Sequence, residues 1–320
     1  MSECPIPCNL CGASDVEVIG DRDRSGHPLR TTICCRCGLV WSNPRPSEDD
    51  VRRYYSREYR LDYKGRATPS LRHIARSGRG ALHRYRALAP YLKRGDRVLD
   101  AGAGGGEVVY VLRRLGFDAA GLEPDEQYAR HAREALGVPI DTGFVQDMSF
   151  PAAAFDVVTM YHALEHVENP LAILSRLRSW TVDNGVLLIE VPNVEARCIA
   201  PGHRFHFAHF YSFSRATLEA LGRKAGFQPV QTITSSDSGN LVSVFRAAGR
   251  MGEDLDPDTH TRIAAAVRSH TALKYYCSAR PYVAPFSRLR TYLVDSRVAA
   301  ACSTPKQVLD TLINGSGEQQ

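Results

Sequence analysis

The sequence has no long apolar run. Nothing in its 320 residues approaches the roughly 18 consecutive apolar residues that a membrane-spanning helix needs. The longest apolar stretch, around Val186–Ile189, suits a buried strand. Compositional bias is also lacking: 43% hydrophobic and 23% charged residues exclude disordered, collagen-like and coiled-coil classes for the bulk of the chain. The first residues, Met1-Ser2-Glu3-Cys4-Pro5, carry no basic region followed by an apolar core. A secretory signal is therefore not expected, and a cytoplasmic location is. Net charge is only +5, which by itself selects no partner.

The charge is unevenly placed. From Arg52 to Arg97 there are fourteen Lys or Arg against three acids, a local +11 that leaves −6 for the remainder. Such an excess fits contact with an anion, and it equally fits a solvated Arg-rich helical face.

Nine cysteines are present, and six fall within the first 37 residues: Cys4, Cys8, Cys11, Cys34, Cys35 and Cys37. Clustering of this kind in a reducing compartment points to metal before disulfides. Cys8-Asn9-Leu10-Cys11-Gly12 and Cys34-Cys35-Arg36-Cys37-Gly38 each place two sulfurs on one tight turn. Two such turns facing each other make a tetrahedral four-sulfur site that suits structural zinc, with Cys8, Cys11, Cys34 and Cys37 as ligands. A redox dithiol or a disulfide pair is the alternative, and Cys4 and Cys35 are spare thiols nearby. Ser25-Gly26-His27-Pro28, between the two turns, signals a hairpin. So short a module cannot build a core alone, so metal would stabilise it.

Four segments follow. Residues 1–45 are the zinc-binding module, and 46–94 a basic helical linker or lid, with helices expected over Val51–Tyr63 and Pro69–Leu92. Residues 95–248 alternate strand and helix, which means a mostly parallel sheet with helices on both faces, here doubly wound and Rossmann-like. Its last two strands, Pro229–Thr234 and Leu241–Ala247, have no helix between them, so one antiparallel strand is expected. Residues 249–320 are helical and end in a disordered polar tail.

Asp100-Ala101-Gly102-Ala103-Gly104-Gly105-Gly106-Glu107 follows the first strand of the alternating segment and opens a helix. Glycines there allow a tight turn and close approach of backbone to a ligand. Glu123 ends the next strand, where a carboxylate can accept both hydroxyls of a ribose. An adenosine-type cofactor follows from loop and acid together; NAD and S-adenosylmethionine both fit that much.

The spacing D-x-G-x-G-x-G resembles motif I of class I S-adenosylmethionine-dependent methyltransferases. Phe155-Asp156-Val157-Val158, the segment His162-Ala163-Leu164-Glu165-His166-Val167, and Asn184-Gly185-Val186-Leu187-Leu188-Ile189 are similar to their fourth strand, the sequence after it, and their fifth strand. Asn184 replaces the first Gly of the last motif. The fold implied is the seven-stranded methyltransferase sheet. The wider sequence resembles bacterial methyltransferases of sugar and secondary-metabolite pathways that carry an N-terminal zinc-binding cysteine module. The region after the methyltransferase segment is shorter than the extra domain of the sugar C-methyltransferases, so O-methylation is expected ahead of N-methylation. The resemblance implies Asp100 and Gly102 near the methionine amine and Gly104 near the cofactor backbone, with Gly106 in the same loop. It also implies Glu123 on the ribose and Asp147 near the adenine amine. Tyr161, at the end of the fourth strand, completes the expected cofactor set.

Ligands of a doubly wound sheet bind beyond the carboxyl ends of its strands. Tyr161, His162, Glu165 and His166 follow the fourth strand, and an insertion with His203, His206 and His209 follows the fifth. Two catalytic readings stay open. In one, His206 or His209, or else His162, removes the acceptor proton. In the other, Glu165, His166 and His209 bind a divalent metal that polarises the acceptor hydroxyl. The second pattern is similar to small-RNA terminal 2′-O-methyltransferases and quinone-pathway O-methyltransferases, which have an acid where His162 stands. The blander alternative is that Glu165 and His166 cap the next helix and the insertion only packs. The expected partner is a small-molecule acceptor, phosphorylated if the basic lid holds it through Arg; oligomers are compatible, and neither nucleic acid nor membrane is expected. An RNA methyltransferase and a non-catalytic S-adenosylmethionine-fold docking module are the rival functions.

Overall fold

The computed structural model describes residues 6–45, 69–235, 238–252 and 255–317. Cys4, the expected helix Val51–Tyr63 and the end of the polar tail lie outside them. Two sheets organise the described residues. Four strands, β1 (Val16–Arg22), β2 (Pro28–Cys34), β3 (Val40–Ser42) and β9 (Tyr211–Ser212), form one antiparallel sheet in that order. Seven strands form the other in the order β10-β11-β8-β7-β4-β5-β6. These are β4 (Arg97–Ala101), β5 (Asp118–Glu123), β6 (Ile140–Thr142), β7 (Phe155–Tyr161), β8 (Thr181–Pro192), β10 (Phe227–Thr234) and β11 (Asn240–Ala247). The chain is thus α/β with the expected Rossmann-like seven-stranded methyltransferase sheet. β4 pairs in parallel with β5 and β7, and β10 and β11 pair antiparallel, where the sequence lacks a crossover helix.

Contacts divide the chain into two compact units. The first comprises Glu48–Met160, Trp180–Val186 and Pro285–Gln320. Its helices are α1 (Leu71–Leu88), α2 (Glu107–Arg114), α3 (Glu126–His131, continuing into one π turn, Ala132–Leu136), most of α8 (Arg280–Ala300) and α9 (Pro305–Gly315). Ser70 caps α1 by accepting from the His73 N–H, and Asp125 caps α3 by accepting from Gln127 and Tyr128. Packing is tight: a Cβ on Gly121 of β5 would lie 2.5 Å from Ile140 Cδ1 and 2.6 Å from Ala103 Cβ. Asn184 has φ +60°, which accounts for the departure from the family's Gly. Asn is among the few non-Gly residues that enter the left-handed region at modest cost.

The other unit comprises Met1–Ser47, Tyr161–Ser179 and Leu187–Ala284, and includes α4 (Pro170–Trp180) up to Ser179, α5 (Arg215–Ala225), α6 (Thr259–Ser269) and α7 (Ala272–Tyr276). The hairpin signalled by Ser25–Pro28 joins β1 and β2 through Asp23, which accepts from the Ser25 and His27 N–H groups. The amino-terminal sheet is not built from the cysteine segment alone. β9 comes from the insertion after β8 and pairs with β3 through Val40↔Ser212 and Trp41↔Tyr211. Ile33 and Val40 pack with Val194, Ile263 and Ala264 in a small core.

Candidate functional site

The glycine loop turns out of β4 within the unit that holds β4–β6. Gly102, Gly104 and Gly106 have φ of +91°, +56° and +81°, which L side chains rarely adopt. Gly106 then caps α2. The loop is tied to the end of β5: the Gly104 N–H donates to Glu123 Oε2 at 2.7 Å, and the Asp125 N–H donates to Oε1 at 3.1 Å. Glu123 is buried and its carboxylate faces the glycine backbone. Asp100 is buried at the end of β4 beside Thr159 of β7, whose hydroxyl donates to Oδ1 at 2.8 Å. Burial pushes the Asp100 carboxyl up to about 6, against the Thr159 hydrogen bond and Arg84. The donor set fits S-adenosylmethionine: a backbone cradle, an acid at the ribose position and a buried carboxylate suited to an ammonium. Asp147 is exposed and its N–H is bonded to the Phe144 carbonyl. Glu107 and Thr159 were not singled out from sequence; the Glu107 carboxylate reaches back to within 2.7 Å of where a Gly105 Cβ would stand.

The second cluster belongs wholly to the other unit. Tyr161 is buried at the end of β7. His162 follows with φ +51°, an uncommon conformation for a non-Gly residue and one found where surrounding structure over-determines the backbone. Its Nδ1 lies 3.4 Å from Glu165 Oε1 and its Nε2 3.2 Å from Glu190 Oε1. Asn240 at the start of β11 donates to the same Glu190 oxygen at 2.8 Å. Glu165 is 1% exposed, and neither of its oxygens accepts a hydrogen bond. Burial opposes its charge, but the imidazoles of His162 and His166 outweigh this and hold it down at about 2. Burial likewise opposes charge on His162, and its two carboxylates lift it to about 9.

His166 Nδ1 lies 2.7 Å from the Ala208 carbonyl, which can only accept. Nδ1 therefore carries a proton, and Nε2 lies 3.9 Å from Glu165 Oε1. The rings of His166 and His209 meet edge to face with centroids 4.8 Å apart. One ligand atom each from Glu165, His166 and His209 lies within 4.8 Å of the others. His206 stands beside His209, ring centroids 5.2 Å apart, but its Nδ1 accepts from the Ala208 N–H, outside the cluster. Burial keeps both neutral, pushing His209 down to about 3 and His206 to about 4. Glu190 and Asn240 were missed from sequence. A lone acid in the apolar run of β8 was the available signal for Glu190; nothing local marked Asn240.

Cys8, Cys11, Cys34 and Cys37 converge in the same unit, with all four sulfurs within 4.8 Å of one another. The two knuckles interleave: Cys8 meets Cys37 at 3.4 Å and Cys11 meets Cys34 at 3.5 Å. Gly12 and Gly38 follow the knuckles with φ of +74° and +75°. Crowding shares one charge unequally: the neighbouring thiols lower Cys34, while Cys8 and Cys37 are raised. The tetrad suits a soft divalent ion. Cys35 stays outside it, beside Asp15.

A methyltransferase domain family matches residues 71–232. Among curated proteins, an uncharacterised methyltransferase of Schizosaccharomyces pombe is 26% identical over 158 residues, covering 43% of this chain and 55% of that protein. A ubiquinone biosynthesis O-methyltransferase of Actinobacillus pleuropneumoniae is 36% identical over 110 residues, covering 31% of this chain and 47% of that protein. The chain spans about half the length of these relatives. Among solved structures, magnesium protoporphyrin IX methyltransferase of Synechocystis covers 63% of this chain and 100% of its own at 19% identity, with a TM-score of 0.49. The family match over half of the chain, on the glycine loop and Glu123 described above, identifies it as a member of the methyltransferase domain family.

Proposed function

We propose that the chain methylates a hydroxyl of a small organic acceptor, with a divalent cation held by Glu165, His166 and His209, and with structural zinc in the Cys8, Cys11, Cys34, Cys37 tetrad. One observation carries the reading. Glu165, His166 and His209, a buried carboxylate and two imidazoles, bring one ligand atom each within 4.8 Å of one another. One carboxylate and two imidazoles form a donor set that suits a divalent cation. O-methylation draws support from relatives named as O-methyltransferases. Sugars, nucleotide-linked sugars and natural products are the acceptors the sequence favours, and the basic residues before β4 suit a phosphorylated one.

S-adenosylmethionine supplies an electrophilic methyl when bound, and a divalent cation would polarise the acceptor hydroxyl. The protein's own residues do the rest. The glycine loop and Glu123 hold the nucleoside, and Asp100 faces the amino-acid end. His166 is locked in one tautomer by Ala208 and presents Nε2. His162, bridged between Glu165 and Glu190 and steadied by Asn240, orients Glu165. Neutral His206 and His209 suit ligation better than proton abstraction, since a good base has its pKa near the working pH.

The test is label transfer from methyl-labelled S-adenosylmethionine to small-molecule, RNA and protein fractions of the host. Runs are made before and after chelation, with zinc content followed throughout. Label in small molecules, lost on chelation, restored by Mg²⁺ or Mn²⁺ and absent for Glu165→Gln, is expected. Chelator-insensitive transfer abolished by His209→Ala would return the assignment to a histidine base. Label in RNA would establish the nucleic-acid reading. Absence of both label and S-adenosylmethionine binding would leave a docking module.

A further inference from the structure

Helix α8 wears its pattern inside out. Its single acid, Asp295, is its buried residue, 2% exposed and 2.6 Å from Arg79 of α1. Phe286, Leu289 and Leu293 are 74%, 55% and 48% exposed. Their spacing of three and four puts them on one helical stripe, turned about 120–180° from Asp295 at 100° per residue. Arg290 and Arg297 flank that stripe, whereas Arg288, though exposed, lies on the Asp295 side of the helix. Arg72 of α1 extends the basic edge, its guanidinium 4.3 Å from the centre of the Tyr292 ring. The outward surface of this unit therefore combines leucine, aromatic rings and arginine, and α8 offers it no carboxylate.

Monomeric proteins rarely leave so continuous an apolar stripe in water. The charges decide what covers it. A second copy would press the same arginines together around a dry seam without an acid to pair them, which is repulsive. An anionic bilayer satisfies both components: apolar side chains enter the acyl boundary while arginines extend to phosphates. We propose that the Phe286–Arg297 face of α8, with Arg72, docks on an anionic lipid surface, the helix lying in the plane of the interface. The expectation of no membrane partner rested on the lack of a spanning segment, which is silent about a helix lying on the surface.

The experiment uses the full chain and liposome flotation. Vesicles are neutral phosphatidylcholine, or the same lipid with about a third replaced by phosphatidylglycerol. Binding to the anionic vesicles and not the neutral ones is expected. Phe286→Asp/Leu293→Asp should lower it at least tenfold with an unchanged circular dichroism spectrum, since both side chains are exposed. Arg290→Ala and Arg297→Ala should each weaken it about fivefold, an effect that shrinks as salt rises. No binding to anionic vesicles, equal binding to neutral ones, or binding indifferent to the double aspartate variant overturns the proposal. So does a homodimer in light scattering that the same variant dissociates, which would assign the face to a second copy. A face that floats vesicles normally in a chain without transferase activity would separate this inference from the proposed reaction.

Discussion

Replacing Asp100 by Asn should make the protein more stable and a poorer binder of S-adenosylmethionine. Asp100 is buried, and burial lifts its carboxyl from 3.8 to about 6. Because the folded pKa lies above the unfolded one, the folded state holds this proton more tightly. The group's penalty grows as pH rises through the window from 3.8 to about 6 and is complete above it. Two units correspond to about 3 kcal/mol at neutral pH. The Asn amide keeps an acceptor for the Thr159 hydroxyl but buries an NH₂, which costs roughly 1–2 kcal/mol if unpaired. A net gain of about 1–2 kcal/mol remains, on the order of 1.5–3 °C in Tm for a chain of this size. The sign is diagnostic: the variant should be the more stable above pH 6 and lose that advantage below pH 4. Calorimetric titration at pH 7.5 should show S-adenosylmethionine binding weakened at least tenfold, since the charge facing its ammonium is gone. Thermal unfolding of both proteins from pH 4 to 8, with and without the cofactor, reads all of this. A destabilised Asp100→Asn that still binds the cofactor normally, or a stability difference that does not change with pH, would refute the reasoning.

Four further outcomes are expected. With zinc in the tetrad as proposed, Cys37→Ser should lower bound zinc below one equivalent by elemental analysis and reduce Tm, because the metal would tie the two knuckles together. Gly121→Ala should destabilise by about 1–3 kcal/mol in urea titration, since its Cβ would meet Ile140 and Ala103 at 2.5 and 2.6 Å. Asn184→Val should cost about 1–2 kcal/mol in the same assay, because φ is +60°, whereas Asn184→Gly should be nearly neutral. Glu190→Gln should cut the transfer rate with little change in cofactor affinity, and Asn240→Ala less so, if the pair positions His162.

The glycine loop and Glu123 were legible because their signal is local: a strand, a turn that only glycine can make, and an acid at the next strand end. The tetrad was legible for the same reason, each knuckle carrying its own Cys pair and Gly. What escaped was non-local. β9 is two residues long, too short for any periodicity, and exists because β3 offers it an edge. Glu190 and Asn240 meet His162 only once β8 and β11 have folded. The sense of the α8 pattern was equally hidden: a helix periodicity says which residues share a face, and only the position of Asp295 says which face turns inward.

The cysteine module also has a consequence for the chemistry beyond its own stability. Leu10 and Asn9 stand between Cys8 and Cys11. Asn9 Oδ1 accepts from the Leu171 N–H at 3.0 Å, and Asn9 Nδ2 donates to Asn169 Oδ1 at 2.8 Å, so the knuckle caps the start of α4. The Leu10 carbonyl accepts from Lys224 of α5. Tyr211 of β9 donates its hydroxyl to the Glu168 carbonyl at 3.1 Å. The segment that bears Glu165 and His166 is therefore held at its carboxyl end by the first cysteine turn and by the sheet that the module shares with the insertion. His166 is fixed at the other side by Ala208 of the same insertion. Loss of the metal should then be felt at Glu165 before it is felt at the glycine loop. Asn9→Ala, which leaves all four thiolates in place, isolates that coupling. It should retain zinc and cofactor affinity yet lower the transfer rate, and Asn9→Asp, which keeps the acceptor for Leu171 but sets a carboxylate oxygen against Asn169 Oδ1, should restore it only in part. Unchanged transfer by Asn9→Ala would mean that the tetrad supports only its own sheet.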